Sequence, residues 1–323
     1  MSEPIRLTLA YPNEKQQRFL ECTAKYIAFG GARGGGKSWA VRTKAILLAL
    51  GYAGIRLLIV RRTYQELESN HIRILRPQLA QVAEYKATTR TFTFLNGSTL
   101  EFGYCASDGD MDRYQGAEYD VIFLDECTQL REQWMRQFAA CLRGVNDFPK
   151  RIYYTCNPGG PGHSYIKRLF IDRRFEPGEN PDDYVFIPAR VTDNKALLAA
   201  QPDYLKQLEA LPRRLRQAWL EGRWDIFQGQ VFSEFTDDPT HYADRRFTHV
   251  IPAFDIPREW RVYRSYDFGY AKPFSCGWWA VDHDGVLYRI LELYGCTATP
   301  DEGVLWTPDR QFAEIRRIEN EHP

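Results

Sequence analysis

The chain has 323 residues, 44% of them apolar and 26% charged, and its 42 basic side chains are balanced by 42 acidic ones. That length fills two cores comfortably, and the composition is that of an ordinary globular protein. Zero net charge excludes a global field that attracts polyanions, so any nucleic-acid contact rests on local basic patches. The longest uncharged, mainly apolar run, residues 45–55, is too short to span a bilayer. The seven cysteines show no C-x-x-C spacing, which reads as reduced, mostly buried thiols and excludes a zinc site of that type.

In chain order, the first strand-like run is Tyr26 to Phe29, followed by a glycine-rich turn and a helical pattern from Lys37 to Leu50. Leu57 to Val60 is the second run. Thr91 to Leu95 and Ser98 to Phe102 flank Asn96-Gly97, a hairpin signal. Val121 to Leu124, Ile152 to Thr155 and Tyr184 to Ile187 complete the series, with a helical stretch from Arg131 to Leu142 between the first two. Short apolar runs alternating with helices predict an α/β domain with a largely parallel sheet. Pro202 to Trp224 reads as helical and basic, and residues 226–258 as a connector punctuated by Gly and Pro. Val262 to Phe268, Cys276 to Val281 and Val286 to Tyr294 read as three strands of a second unit. The predicted divisions are 1–225, 226–258 and 259–323.

The strongest chemical signal is Gly31-Ala32-Arg33-Gly34-Gly35-Gly36-Lys37-Ser38, which fits G-x-x-x-x-G-K-[ST] between a strand and a helix. Its glycines let backbone N–H groups curl around phosphates, and the helix N-terminus adds positive potential. Lys37 would reach the β- and γ-phosphates and the Ser38 hydroxyl would bind Mg²⁺. Asp125-Glu126 closes the Val121–Leu124 run at the strand end where open α/β sheets bind ligands. Asp125 is expected to hold Mg²⁺ directly or through water, and Glu126 to polarise the attacking water.

The phosphate loop with its internal Arg33, the Asp125-Glu126 pair and Thr155-Cys156-Asn157-Pro158-Gly159 resemble the large terminase subunit of tailed bacteriophages. Arg61-Arg62-Thr63-Tyr64 and Leu220-Glu221-Gly222-Arg223-Trp224-Asp225 are similar to segments of the same family. The resemblance implies a P-loop NTPase with a mostly parallel sheet flanked by helices, followed by a ribonuclease H-like nuclease domain. It implies ATP-driven translocation of double-stranded DNA into a capsid, with ATP and Mg²⁺ as cofactors. Thr155 and Asn157 would sense the γ-phosphate, and Gln16 or Gln17 would read adenine. Arg33 would be a second cation at the phosphates, and Arg113 an arginine finger reaching a neighbouring copy. The implied partners are DNA, a portal protein and a small terminase subunit, around a homo-oligomeric ring in the host cytoplasm with no membrane. Read without the resemblance, Asn157 to Gly162 is a rigid turn and Arg113 a solvated loop arginine.

Asp267, in Ser265-Tyr266-Asp267-Phe268-Gly269, matches the acid that ends the first strand of the family's nuclease domain, where it would bind a divalent cation. A kinase reading of Asp-Phe-Gly fails for want of an H-R-D loop. Two-metal nucleases need several carboxylates, and here only Glu292 follows on a strand. The expectation is a C-terminally truncated chain without endonuclease activity. Two alternatives stand: another P-loop ATPase of helicase or recombination type, and a remnant that binds nucleotide without turnover.

Overall fold

The computed structural model describes residues 7–224, 235, 237–246, 248–297 and 302–321. The chain divides into two compact units, Met1–Ser233 and Glu234–Pro323. The sequence-predicted boundary at Asp225, the start of the connector and the chain end at Pro323 lie outside the described residues.

The first unit runs α1 (Glu14–Glu21), β1 (Tyr26–Gly31), α2 (Lys37–Gly51), β2 (Arg56–Arg61), α3 (Tyr64–Leu67), a π turn (Glu68–Ile72) and α4 (Arg73–Leu79). It continues through β3 (Ala83–Lys86), β4 (Thr91–Phe94), β5 (Thr99–Tyr104), α5 (Asp108–Met111), β6 (Val121–Leu124), α6 (Glu132–Ala140), β7 (Arg151–Cys156), α7 (His163–Ile166) and β8 (Tyr184–Ala189). Three short helices follow: α8 (Lys195–Ala200), α9 (Tyr204–Glu209) and α10 (Arg213–Trp219). Where the sequence reads one helical stretch from Pro202 to Trp224, Pro212 stands at the N-cap of α10 and divides it, because proline cannot donate to a continuing helix.

The eight strands order as β3-β4-β5-β2-β6-β7-β1-β8. Every neighbouring pair from β5 to β8 is parallel, while the β3–β4 and β4–β5 pairs are antiparallel, so that β4 alone runs against the rest. Successive residues of the central strands enter opposite layers, as the period of two requires. Ile27, Phe29, Leu57, Ile59, Val121 and Phe123 pack with α1, α2 and α4 on one face. Ala28, Leu58, Val60, Ile122 and Leu124 pack with α6 and α7 on the other. Burial on both faces explains why these strands are continuous apolar runs. The predicted hairpin forms, but its strands stop at Phe94 and resume at Thr99, with Gly97 left-handed at φ 81°. The Asn96 amide donates to the Ala49 carbonyl (2.8 Å) and the Ser98 hydroxyl to that of Tyr52 (2.8 Å), so the turn is pinned to the end of α2.

The second unit is an antiparallel sheet ordered β11-β10-β9, from β9 (Arg261–Asp267), β10 (Ser275–Val281) and β11 (Leu287–Tyr294), with α11 (Pro308–Glu321) against it. Its small core joins Cys276 and Trp278 to Ile315 of α11. Gln311 of α11, fully buried, accepts from the Tyr266 hydroxyl (2.6 Å) and donates to the carbonyls of Gly269 and Trp306 (2.7 Å each).

Candidate nucleotide site

Parallel strands put the functional residues on one edge. The loop after β1, Arg61 at the end of β2, Asp125 and Glu126 after β6, and Thr155 to Asn157 at the end of β7 all lie at the carboxyl ends of adjacent strands. They surround a cavity of about 540 Å³ whose lining includes Arg33 to Trp39, Arg61, Glu126 and Asn157.

The loop is shaped by its glycines where backbone geometry demands them. Gly36 caps α2 in the left-handed region at φ 75°, and a Cβ there would lie 2.3 Å from the Gln16 amide nitrogen. No side chain caps α2, so its first N–H groups remain for an anion. Lys37, buried, donates to the Ala32 carbonyl and to Asn157 Oδ1, both at 2.7 Å. Asn157 Nδ2 in turn donates to Glu126 Oε2 at 2.8 Å, so one amide joins the cation to the carboxylate. Ser38 is half-buried and lines the cavity beside them.

Glu126 is held in the left-handed region at φ 53°, uncommon for a residue with a side chain. Its N–H donates to the Thr155 hydroxyl (2.8 Å), and that hydroxyl donates to Asp125 Oδ1. The Thr128 hydroxyl donates to the Asn157 carbonyl (2.9 Å). Thr155 to Asn157 are thus stitched to the Asp125-Glu126 corner and are more than a rigid turn.

Asp125 is fully enclosed. Its Oδ2 accepts from Arg61 Nε (2.6 Å) and His71 Nε2 (2.8 Å). Burial pushes its carboxyl upward, but Arg61, His71 and Thr155 override that, and the net is a carboxyl held well below its usual range. Burial depresses the His71 imidazole, against the pull of Asp125. An ionised Asp125 therefore faces a neutral ring that donates to it.

The remaining predicted residues are placed unequally. Gln16 lies against the loop: its Oε1 accepts from the Asn13 N–H (2.9 Å) and its Nε2 donates to the Gly36 carbonyl (3.1 Å). Gln17 turns to solvent and donates to Glu21. The Arg33 guanidinium lies 3.3 Å from the Trp219 ring centre, and the Arg33 backbone N–H donates to the Trp219 carbonyl (2.8 Å). Arg113 stacks on Tyr104 and pairs with Asp110 (2.6 Å), apart from the cavity lining. Asp267 is exposed at the end of β9. Glu292 pairs with Arg289 (2.9 Å). It lies two strands across and two residues along from Asp267, about 12 Å by standard sheet spacings.

Several residues at the site carry no local sequence signal. His71 meets Asp125 across 54 positions. Asn194 donates to the Gly34 carbonyl (2.8 Å), and Leu197 and Tyr204 close over the same glycine. Only the fold brings them together.

Residues 28–236 match the family described as terminase large subunit, T4likevirus-type, N-terminal. The chain belongs to this family. Among solved structures, the large terminase from a thermophilic bacteriophage in complex with ADP is similar at a TM-score of 0.55 and 19% identity, over 97% of this chain and 75% of that one. The same phage protein in complex with ATP-gamma-S gives a TM-score of 0.54 at 20% identity, over 96% and 74%. No curated protein matches this terminase chain. Among its described residues no helix is long and apolar enough to cross a membrane.

Proposed function

We propose that this terminase large subunit hydrolyses ATP to drive double-stranded DNA into a capsid. The observation that carries the reading is the Lys37–Asn157–Glu126 chain of hydrogen bonds, which couples the phosphate loop to the water-activating acid through the element between them. The backbone N–H groups of Gly34 to Ser38 and the Lys37 ammonium take the β- and γ-phosphates. Lys37 leaves Asn157 as it turns to phosphate, and Asn157 is then released to meet the γ-phosphate and to free Glu126 to polarise water. Arg33 supplies a second cation from within the loop.

The residues present fit a nucleotide-bound Mg²⁺: Ser38 lines the cavity, and Asp125 beside it is held ionised by its donors. Both Asp125 oxygens are engaged and its side chain is enclosed, so Asp125 would act through the ion's water shell, which Mg²⁺ gives up reluctantly. When bound, the ion neutralises charge that develops on the phosphates.

Family membership supports DNA, a portal protein, a small terminase subunit and a ring of copies as partners in the host cytoplasm. The antiparallel β9–β11 sheet with α11 fits the opening of a ribonuclease H-like unit, with Asp267 as its first candidate ligand for a divalent cation. The test is phosphate release with and without linear duplex DNA. Turnover stimulated by duplex is expected, and no turnover under either condition would return the chain to a nucleotide-binding remnant.

A further inference from the structure

We infer that His71 is a positioning residue for the site's acid, fixing Asp125 in its water-mediated role toward the nucleotide's cation. The inference rests on the nucleotide reading above and adds a residue from outside the three motifs.

The π turn Glu68–Ile72 interrupts the helical run between α3 and α4, and such turns are mostly local bulges inside helices, frequently at functional sites. It carries two adjacent residues to two places: Asn70 lines the cavity, and His71 passes beneath Asp125 with no exposed surface. The turn is tied to α2, because Arg42 of that helix donates to the Asn70 carbonyl. Three donors from three elements therefore converge on one carboxylate: Arg61 from β2, His71 from the π turn and Thr155 from β7.

The tautomer follows from the acceptor. A carboxylate oxygen that already takes the Arg61 N–H accepts from the ring as well, so His71 Nε2 carries a hydrogen toward it. Nδ1 has no hydrogen-bond partner among the described residues. A buried polar atom without a partner is unfavourable, and an apolar ring would fill the same volume without it. Packing alone does not account for an imidazole here, whereas the bond to Asp125 does. Without that bond, Arg61 alone restrains Oδ2, and the carboxylate, still held by Thr155 at Oδ1, pivots toward the guanidinium or into the space the ring leaves. After such a pivot it no longer meets the cation's water as before. Groups that orient a metal's ligands typically change metal affinity or activity about 10- to 100-fold when removed.

The experiment measures binding of a fluorescent ADP analogue to the full chain, with excess Mg²⁺ or with EDTA, so that no turnover is involved. His71→Phe is expected to lose about 10- to 100-fold of the Mg²⁺-dependent affinity while binding in EDTA stays unchanged, because the phosphate loop is untouched. His71→Gln should restore the Mg²⁺ response, since its amide nitrogen stands three bonds from Cβ, as His Nε2 does. Should His71→Phe not fold, His71→Asn replaces it as the losing variant, because its amide stops one bond short. A normal Mg²⁺ response in folded His71→Phe or His71→Asn overturns the inference, as does a parallel loss with and without Mg²⁺, or a folded His71→Gln that rescues nothing. Wild-type protein that binds no nucleotide overturns the site itself, and this inference with it.

Discussion

Asn157 holds the two groups that matter most, with its carbonyl oxygen toward the Lys37 ammonium and its amide toward Glu126. This is the only orientation of the amide that satisfies both a donor-only cation and an acceptor-only anion. Each member then has its own expected phenotype. Lys37→Ala should weaken nucleotide binding, since it removes the cation that neutralises the phosphates. Glu126→Gln should retain binding and lower turnover by about 10²–10⁴-fold, the usual worth of general-base assistance. The two are separated by equilibrium binding and phosphate release; equal turnover in wild type and Glu126→Gln would remove Glu126 from the mechanism. Asn157→Ala should also bind nucleotide, but with hydrolysis no longer responsive to DNA. Lys37 and Glu126 are readable in the sequence because their spacing is local. Asn157 enters only through the family resemblance, because a lone Asn-Pro-Gly is first of all a turn, and only the adjacency of β6 and β7 places it between the other two.

Among the elements, the strands were legible and their order was not. Five buried runs stand out because apolar residues must fill both faces of a covered sheet, yet nothing local tells β1 to lie between β7 and β8. The short β3 escapes notice, since half of its residues face solvent. The π turn is invisible for a different reason: its purpose is a contact 54 residues away. The helix α2 gives a prediction of its own. Lys44 on its buried side donates to the Leu20 carbonyl at the end of α1, and burial, with Arg151 nearby, holds its ammonium down to about 8. A lysine whose folded value lies below its unfolded value of 10.5 costs stability while both states are protonated. Between pH 8 and 10.5 the unfolded chain binds the extra proton, so stability should rise with pH through that window. Chemical denaturation from pH 7 to 10 should show the rise, and Lys44→Met should flatten it.

For the whole molecule, two expectations concern what a single copy does. Arg113 is exposed and held by Asp110 rather than by the nucleotide cavity of its own chain. As a finger for a neighbouring copy it would raise turnover by roughly 10³–10⁵. Specific activity should therefore climb with protein concentration, and mixing Arg113→Ala with Glu126→Gln protein should recover part of it. Turnover that does not depend on concentration would leave Arg113 as a surface residue. Asp267 and Glu292, about 12 Å apart, cannot share a pair of cations that two-metal cleavage keeps about 4 Å apart. These two acids alone should not nick supercoiled plasmid in Mn²⁺; nicking abolished by Asp267→Ala would show that other ligands complete the site.

The segment that closes the first unit is in contact with the phosphate loop. Trp219 lies under Arg33, and Gly222, at φ 68°, passes so near Gly31 that a Cβ would stand 2.6 Å from its carbonyl oxygen. Every residue after it is joined to the nucleotide loop by this short length of backbone. Gly222 is therefore the point at which this closing segment backs the phosphate loop, backbone against backbone, and a side chain there has no room. Gly222→Ala should force the segment off the loop and leave Gly31 to Lys37 without their backing, so that nucleotide binds more weakly although no residue facing the cavity has changed, which equilibrium binding would show.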